Sequence, residues 1–191
     1  GTPWEVARQM QSQEPDSTGI RLLAGTTFKE LGAVLSRWGG EIALLRELAD
    51  LSNFPVELRG LLPENPEFRL AFLLPDSYLV TPSGAAVRDF VRLASRTWQV
   101  KIGPLLPRDT GAQWLLKRAI LASINERESR DDEERARVAG VFENRLRLGM
   151  PLQSCATVIF AWKQKGRVLE GLTYGDLDID SPYNTYRNNG L

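Results

Sequence analysis

The stretch Leu121-Ala122-Ser123-Ile124-Asn125-Glu126-Arg127-Glu128 lies late in a strongly helical run, and the rest of the chain is organised around it. Residues three, four and seven apart share a helix face, so Glu126 sits with Ser123, Ala122 and Ala119. Small side chains there leave space beside a carboxylate for a ligand, a water molecule or another helix. The residues before it read as scaffold leading to this helix. Many of those after it read as the other walls of a site.

The scaffold begins with a short helix expected over residues 1–12, entered through Thr2-Pro3. Ile20-Arg21-Leu22-Leu23 alternates like a brief strand, and Gly25-Thr26-Thr27 turns into a helix with Leu31, Val34, Leu35 and Trp38 on one side. These pieces predict a small α+β module. Gly39-Gly40 breaks the second helix, and residues 41–52 predict a third with Ile42, Leu45, Leu48 and Ala49 inward. Pro55, Pro63 and Pro66 limit residues 53–68 to a short helix near 56–61 and then loop. Residues 68–80 are apolar and broken by Pro75-Asp76, which predicts a strand or extended segment crossing between lobes. Residues 85–98 predict a helix with Val87, Phe90, Val91, Ala94 and Trp98 as its buried stripe.

The helix that carries Glu126 opens on Thr110-Gly111-Ala112-Gln113, which has the capping-box pattern. Asp131, with Glu134 three residues on, opens another helix to about Leu148, with Val138, Val141, Phe142 and Leu146 as its core face. Gly149 is a natural stop before Pro151. Beyond Leu152 the chain changes character. Thr157-Val158-Ile159-Phe160 is apolar, and residues 175–191 are rich in Asp, Asn, Tyr and turn residues, as a ligand-lining loop is.

Composition narrows the chemistry. The 191 residues contain no His and a single Cys, Cys155, so Ser-His-Asp catalysis, His-based metal sites, Cys-cluster metal sites and an internal disulfide are all excluded. Catalysis must rest on carboxylates, Lys, Tyr or hydroxyls. Lys plus Arg and Asp plus Glu are each 24, a balance that argues against a nucleic-acid binder. No apolar run reaches the ~18 residues of a membrane-spanning helix. The chain opens on Gly1, not Met, so an anchor or targeting segment ahead of it is expected.

Among the candidate residues Glu126 comes first, since a carboxyl set among small and apolar groups suits general acid/base work. The plainer reading from the helix pattern alone is a solvated Glu paired with Arg130 at i+4. Asn144 and Arg145, on the next helix, offer amide and guanidinium donors for a sugar or carboxylate, or make an ordinary polar face. Gln153, Ser154 and Thr157 come after a Gly-Met-Pro turn and suit a polyhydroxylated ligand, or are simply loop. In Ser181-Pro182-Tyr183-Asn184-Thr185-Tyr186, two Tyr rings for sugar stacking flank polar groups; a turn with its Tyr packed inward fits equally well. Asp176, Asp178 and Asp180 lack the glycine and distal Glu of a calcium loop and read as turn acids. Cys155 reads as a small apolar filler.

Taken together, the words Ala122-Ser123-Ile124-Asn125-Glu126-Arg127-Glu128, Val138-Ala139-Gly140-Val141-Phe142-Glu143-Asn144-Arg145-Leu146, Gly149-Met150-Pro151-Leu152-Gln153-Ser154, Thr157-Val158-Ile159 and Ser181-Pro182-Tyr183-Asn184-Thr185-Tyr186 resemble the YceG-like family of endolytic murein transglycosylases. Leu74-Pro75-Asp76-Ser77-Tyr78 resembles the family's apolar-Pro-Asp-Thr-Tyr segment. The chain departs from the family at Asn125 and Arg127, which usually read Val and Lys, and at Cys155-Ala156, which usually reads Asp-Pro. Beyond Gly190-Leu191 the family continues into a further C-terminal portion.

The resemblance implies an α+β fold: a LysM-like α/β subdomain with a helical connector over residues 1–70, then a mixed helical and β catalytic domain over 71–191. It implies endolytic cleavage of the MurNAc–GlcNAc β-1,4 bond of peptidoglycan strands, leaving a 1,6-anhydro-MurNAc end, with no cofactor and no metal. Glu126 matches the catalytic acid, and Ser123, Asn144, Arg145, Gln153, Thr157, Tyr183, Asn184 and Tyr186 are the implied substrate-binding residues. Cell-wall synthesis proteins are the implied partners, and the implied place is the bacterial cell envelope, on the periplasmic side of the inner membrane. Two other readings stay open: a catalytically impaired glycan-binding or scaffold protein of the same fold, and a hydrolase using Glu126 with Asp176 or Asp180.

Overall fold

A computed structural model describes residues 17–129 and 131–191. The helix expected over residues 1–12 and the expected pairing of Glu126 with Arg130 lie outside the described residues. The chain forms two compact units, the first ending at Ala112 and the second running Gln113–Leu191.

In the first unit, strand β1 (Thr18–Leu22) pairs antiparallel with β2 (Asp76–Val80), Ile20 opposite Tyr78. Ile20, Leu22, Tyr78 and Val80 face inward at every second position, as strand geometry requires. Helix α1 (Phe28–Val34) starts on a capping box in which Thr27 and Glu30 exchange hydrogen bonds. Helices α2 (Gly40–Ala49), α3 (Val56–Arg59) and α4 (Ala86–Lys101) come next. Helix α4 buries Val87, Phe90, Val91, Ala94 and Trp98, the stripe that its periodicity predicts. Its Phe90 meets Tyr78 edge-on at 5.5 Å between ring centroids.

Two expectations for this unit are corrected. Residues 68–80 are not extended throughout, because Asn65 caps Glu67 N–H and Pro66 sits at a first-turn position, winding Pro66–Phe72 into a 3₁₀ helix before β2 begins. Helix α2 buries Ala43, Leu44 and Leu48, whereas Ile42 is 83% exposed. Gly39 and Gly40 have φ of 99° and 58°, and a Cβ on Gly32 would lie 2.3 Å from Glu41 Cγ. The same Cβ would lie 3.1 Å from Glu41 Cα and N, so glycine at 32 lets the start of α2 come close. Buried Arg69 then ties the unit together by donating to the carbonyls of Leu48, Ala49, Pro63 and Glu64.

The second unit is built on α5 (Ala112–Glu128), α6 (Asp132–Arg147), α7 (Cys155–Gln164) and a 3₁₀ turn at Tyr174–Asp178; among the described residues both strands belong to the first unit. Leu121 and Ile124 of α5 pack with Phe142 of α6 and with Leu152. Val158 and Ala161 of α7 pack with Ile179, flanked by Trp162 and Tyr186. Asp131 caps α6 as expected. The capping box at Thr110 does not form: α5 begins at Ala112, and the Thr110 hydroxyl donates to Pro107 C=O at 2.7 Å. Val141 is 51% exposed, because α6 turns Phe142 into the cluster instead. Among the described residues no helix is long and apolar enough to cross a membrane.

Candidate active site

Helix α5 delivers two glutamates to its C-terminal end, and they diverge. At 100° per residue, positions 126 and 128 point about 200° apart. Glu126 is partly buried and, among the described residues, hydrogen-bonds to none of the other candidates. Glu128 faces the start of α7. Its Oε1 accepts from the Ser154 hydroxyl in a short hydrogen bond and from the Ala156 N–H at 3.3 Å. A carboxylate at a helix N-terminus is favoured by the free N–H groups there.

The segment meeting Glu128 is shaped by its backbone. Gly149 turns at φ 67°, which a glycine accepts without strain. Arg145 reaches across this turn and donates to Leu152 C=O in a short hydrogen bond. Gln153 has φ 53°, a left-handed conformation that costs a non-glycine residue energy. Its N–H donates to Thr185 C=O at 3.0 Å. Ser154 N–H donates to Thr185 Oγ1 at 3.0 Å, and the hydroxyls of Thr157 and Thr185 share a hydrogen bond at 2.8 Å. The 181–186 stretch and the start of α7 are therefore one hydrogen-bonded body. Sequence reasoning reads residues 153–157 as loop; the structure begins α7 at Cys155.

Tyr186 closes the cluster. Its hydroxyl lies 3.2 Å from Cys155 Sγ. The hydrogen bond with Cys155 pushes the phenol up to about 12, burial and the negative charge of Glu128 add to this, and Arg145 partly offsets it. Tyr186, Cys155, Glu128 and Arg145 therefore share one electrostatic environment.

The other candidates divide by exposure. Tyr183 is 44% exposed and stands edge-on to Phe160 at 5.0 Å. Gln153 is exposed, as is Asn144, which accepts from Arg147 at 3.1 Å. Ser123 is exposed and donates to Ile120 C=O at 2.7 Å. Asn184 is fully buried: its amide donates to the carbonyls of Leu177 and Ile179 at 2.8 and 2.9 Å and accepts from Tyr186 N–H at 3.0 Å. Thr157 is also buried, its hydroxyl used within the network above. Asp176 is buried too, and the Thr173 hydroxyl and N–H, with Arg167 beside it, hold its carboxyl below the usual range. The contacts of Glu128 with Ser154 and Ala156 join residues far apart in sequence, which the periodicity of α5 does not show. A signal for Glu128 is present: both glutamates lie in the same word, on opposite helix faces. A separate groove of about 320 Å³, lined by residues including Trp114, Arg118, Glu143 and Leu191, contains none of the candidates.

Comparison with known proteins supplies the context. A model of the YceG-like family matches residues 1–191. An endolytic murein transglycosylase of Streptococcus pneumoniae (strain ATCC BAA-255 / R6) is 43% identical over 204 residues, covering 95% of this chain and 36% of that protein. One of Bacillus subtilis (strain 168) is 51% identical over 72 residues, covering 37% of this chain and 19% of that protein. The chain thus spans about a third or less of the length of these relatives. The crystal structure of a YceG-like protein from Listeria monocytogenes aligns with a TM-score of 0.69 at 23% identity, over 100% of this chain and 66% of that one, a likeness of fold.

Proposed function

Because the chain belongs to the YceG-like family, whose model its residues 1–191 match, we propose that it carries the acid/base centre of a peptidoglycan lytic transglycosylase. The bond cut is the MurNAc–GlcNAc β-1,4 linkage within a strand, and the product end is 1,6-anhydro-MurNAc. The names of its relatives support the reaction class. The observation that carries the assignment within this chain is the junction of Glu128 with Ser154 and the N-terminus of α7, beside Tyr186 and Arg145.

Protonated Glu128 gives its proton to the glycosidic oxygen as the C1–O bond breaks and C1 becomes oxocarbenium-like. The carboxylate then takes the proton of the same sugar's C6 hydroxyl as O6 bonds to C1. One proton is given and one recovered, no water is consumed, and a second catalytic carboxylate is not needed. The family words assign this role to Glu126; the contacts at α7 favour Glu128. Tyr183 offers a ring face to a sugar, and Arg145, Gln153, Asn144 and Ser123 offer polar groups to it. Asn184 and Thr157 act from beneath, holding the loop. The place of action is the cell envelope, on the periplasmic side of the inner membrane, with cell-wall synthesis proteins as partners.

The test digests purified peptidoglycan and measures anhydro-muropeptides by mass spectrometry. Glu128→Gln abolishes product, whereas Glu126→Gln retains it. The reverse pattern returns the role to Glu126. Reducing ends in place of anhydro ends would make the protein a hydrolase. Glycan binding without product would make it a scaffold of the same fold, a reading motivated by Cys155-Ala156 where the family usually has Asp-Pro.

A further inference from the structure

We infer that Ser154 is a positioning residue that makes the two oxygens of Glu128 unequal, reserving Oε2 for proton exchange with the glycan. The inference rests on the reading of Glu128 as the acid/base. Ser154 occupies the position just before α7, where a serine hydroxyl ordinarily accepts from an N–H of the first turn and stabilises the helix. It makes no such bond. Its hydroxyl is turned to Glu128 Oε1, and the first-turn N–H of Ala156 donates to that same oxygen. A capping interaction has been given up for a contact with an exposed carboxylate.

Everything around Ser154 fixes this orientation. The residue is 2% exposed. Its N–H is bonded to Thr185 Oγ1, and its carbonyl accepts from Thr157 Oγ1 at 2.8 Å. The residue before it is held at the strained φ of 53°. Two donors converge on Oε1, while among the described residues Oε2 accepts none. A proton on Oε1 would oppose both donors, so the protonated carboxyl carries its hydrogen on Oε2. The oxygen that gives the proton to the glycosidic oxygen is then the one that later takes it from the C6 hydroxyl. The carboxyl group does not have to rotate between the two steps.

The experiment measures turnover of peptidoglycan and binding to sacculi separately, in the protein at its natural length, for Ser154→Ala, Ser154→Thr and Glu128→Gln. Ser154→Ala is expected to lower anhydro-muropeptide release on the order of 10- to 100-fold, as misplacement of a catalytic group does, with sacculus binding and melting temperature unchanged. Ser154→Thr, which keeps the hydroxyl, restores most of the release. Release by Ser154→Ala within about twofold of the unaltered protein overturns the inference, as does a Thr variant as impaired as Ala. An active Glu128→Gln removes the underlying reading and the inference with it. An inactive Glu128→Gln beside a fully active Ser154→Ala leaves the reading intact and removes only the role of Ser154.

Discussion

Replacing Asn184 by Ala tests whether this residue is a glycan contact, as the sequence suggests, or a strut beneath the site. Three hydrogen bonds depend on its amide: two donated to Leu177 and Ile179 carbonyls and one accepted from Tyr186 N–H. Asn184 is 0% exposed, so water does not reach the partners that alanine leaves behind. At about 1 kcal/mol for each lost bond the second unit loses about 3 kcal/mol. Asn184→Asp does similar damage by a different route: it keeps the acceptor for Tyr186 but replaces the one nitrogen that makes both donations with an oxygen facing two carbonyls. Urea unfolding monitored by Trp fluorescence reads the change, since Trp162 donates to Asp176 C=O beside this loop. With a slope of about 1–3 kcal/mol per M, the midpoint of that transition falls by about 1–3 M. A midpoint unmoved in both variants, together with lost binding to sacculi, would refute the strut and return Asn184 to the glycan surface.

Two further substitutions separate roles in the same cluster. Tyr186 keeps its proton to about 12 in the fold against 10.0 for a free phenol, so its contribution to stability is full below pH 10 and is lost as pH rises through about 12. In Tyr186→Phe that part of the alkaline fall in the unfolding midpoint disappears; an identical profile for both proteins from pH 9 to 12 would show that the Cys155 contact is not made in solution. Gln153→Gly relieves a left-handed backbone and is expected to stabilise the unit by about 1 kcal/mol, while peptidoglycan turnover falls if the exposed amide contacts glycan. Destabilisation of the Gly variant would mean that the Gln153 side chain, not its backbone, holds the turn.

The features legible in the sequence are those a single element decides alone. The α4 stripe ending at Trp98 is strongly amphipathic, and only one face can be inward. Asp131 caps its own helix within two residues, and Gly149 ends it. The illegible parts depend on neighbours distant in sequence. Helix α2 is apolar on more than one face, so its own periodicity does not choose between Ile42, which is exposed, and Leu44, which is buried. The start of α7 is only half signalled, because Ser154 stands at the cap but Thr157, three residues on, is not the Glu or Gln of a capping box. Asn184 reads as a binding residue because polar loop residues usually face water. Here the loop is wrapped around the amide.

The same limit governs the two glutamates. Periodicity places Glu126 and Glu128 on opposite sides of α5 and sets the small residues Ala122 and Ser123 beside Glu126, and the family resemblance then matches Glu126 to the catalytic acid. A cleared space is a local property, whereas a catalytic carboxyl also needs donors that fix its oxygens, and α5 offers none. Those donors come from the residues that open α7, Ser154 and Ala156, which lie 26 and 28 positions beyond Glu128. They are held in turn by Thr185, another 31 positions on from Ser154. The residue facing this three-part junction is Glu128, and helix geometry forbids Glu126 from facing it at the same time. Under the proposed function the choice between two acids in one word falls to a loop they do not belong to, and the paired variants Glu126→Gln and Glu128→Gln test it.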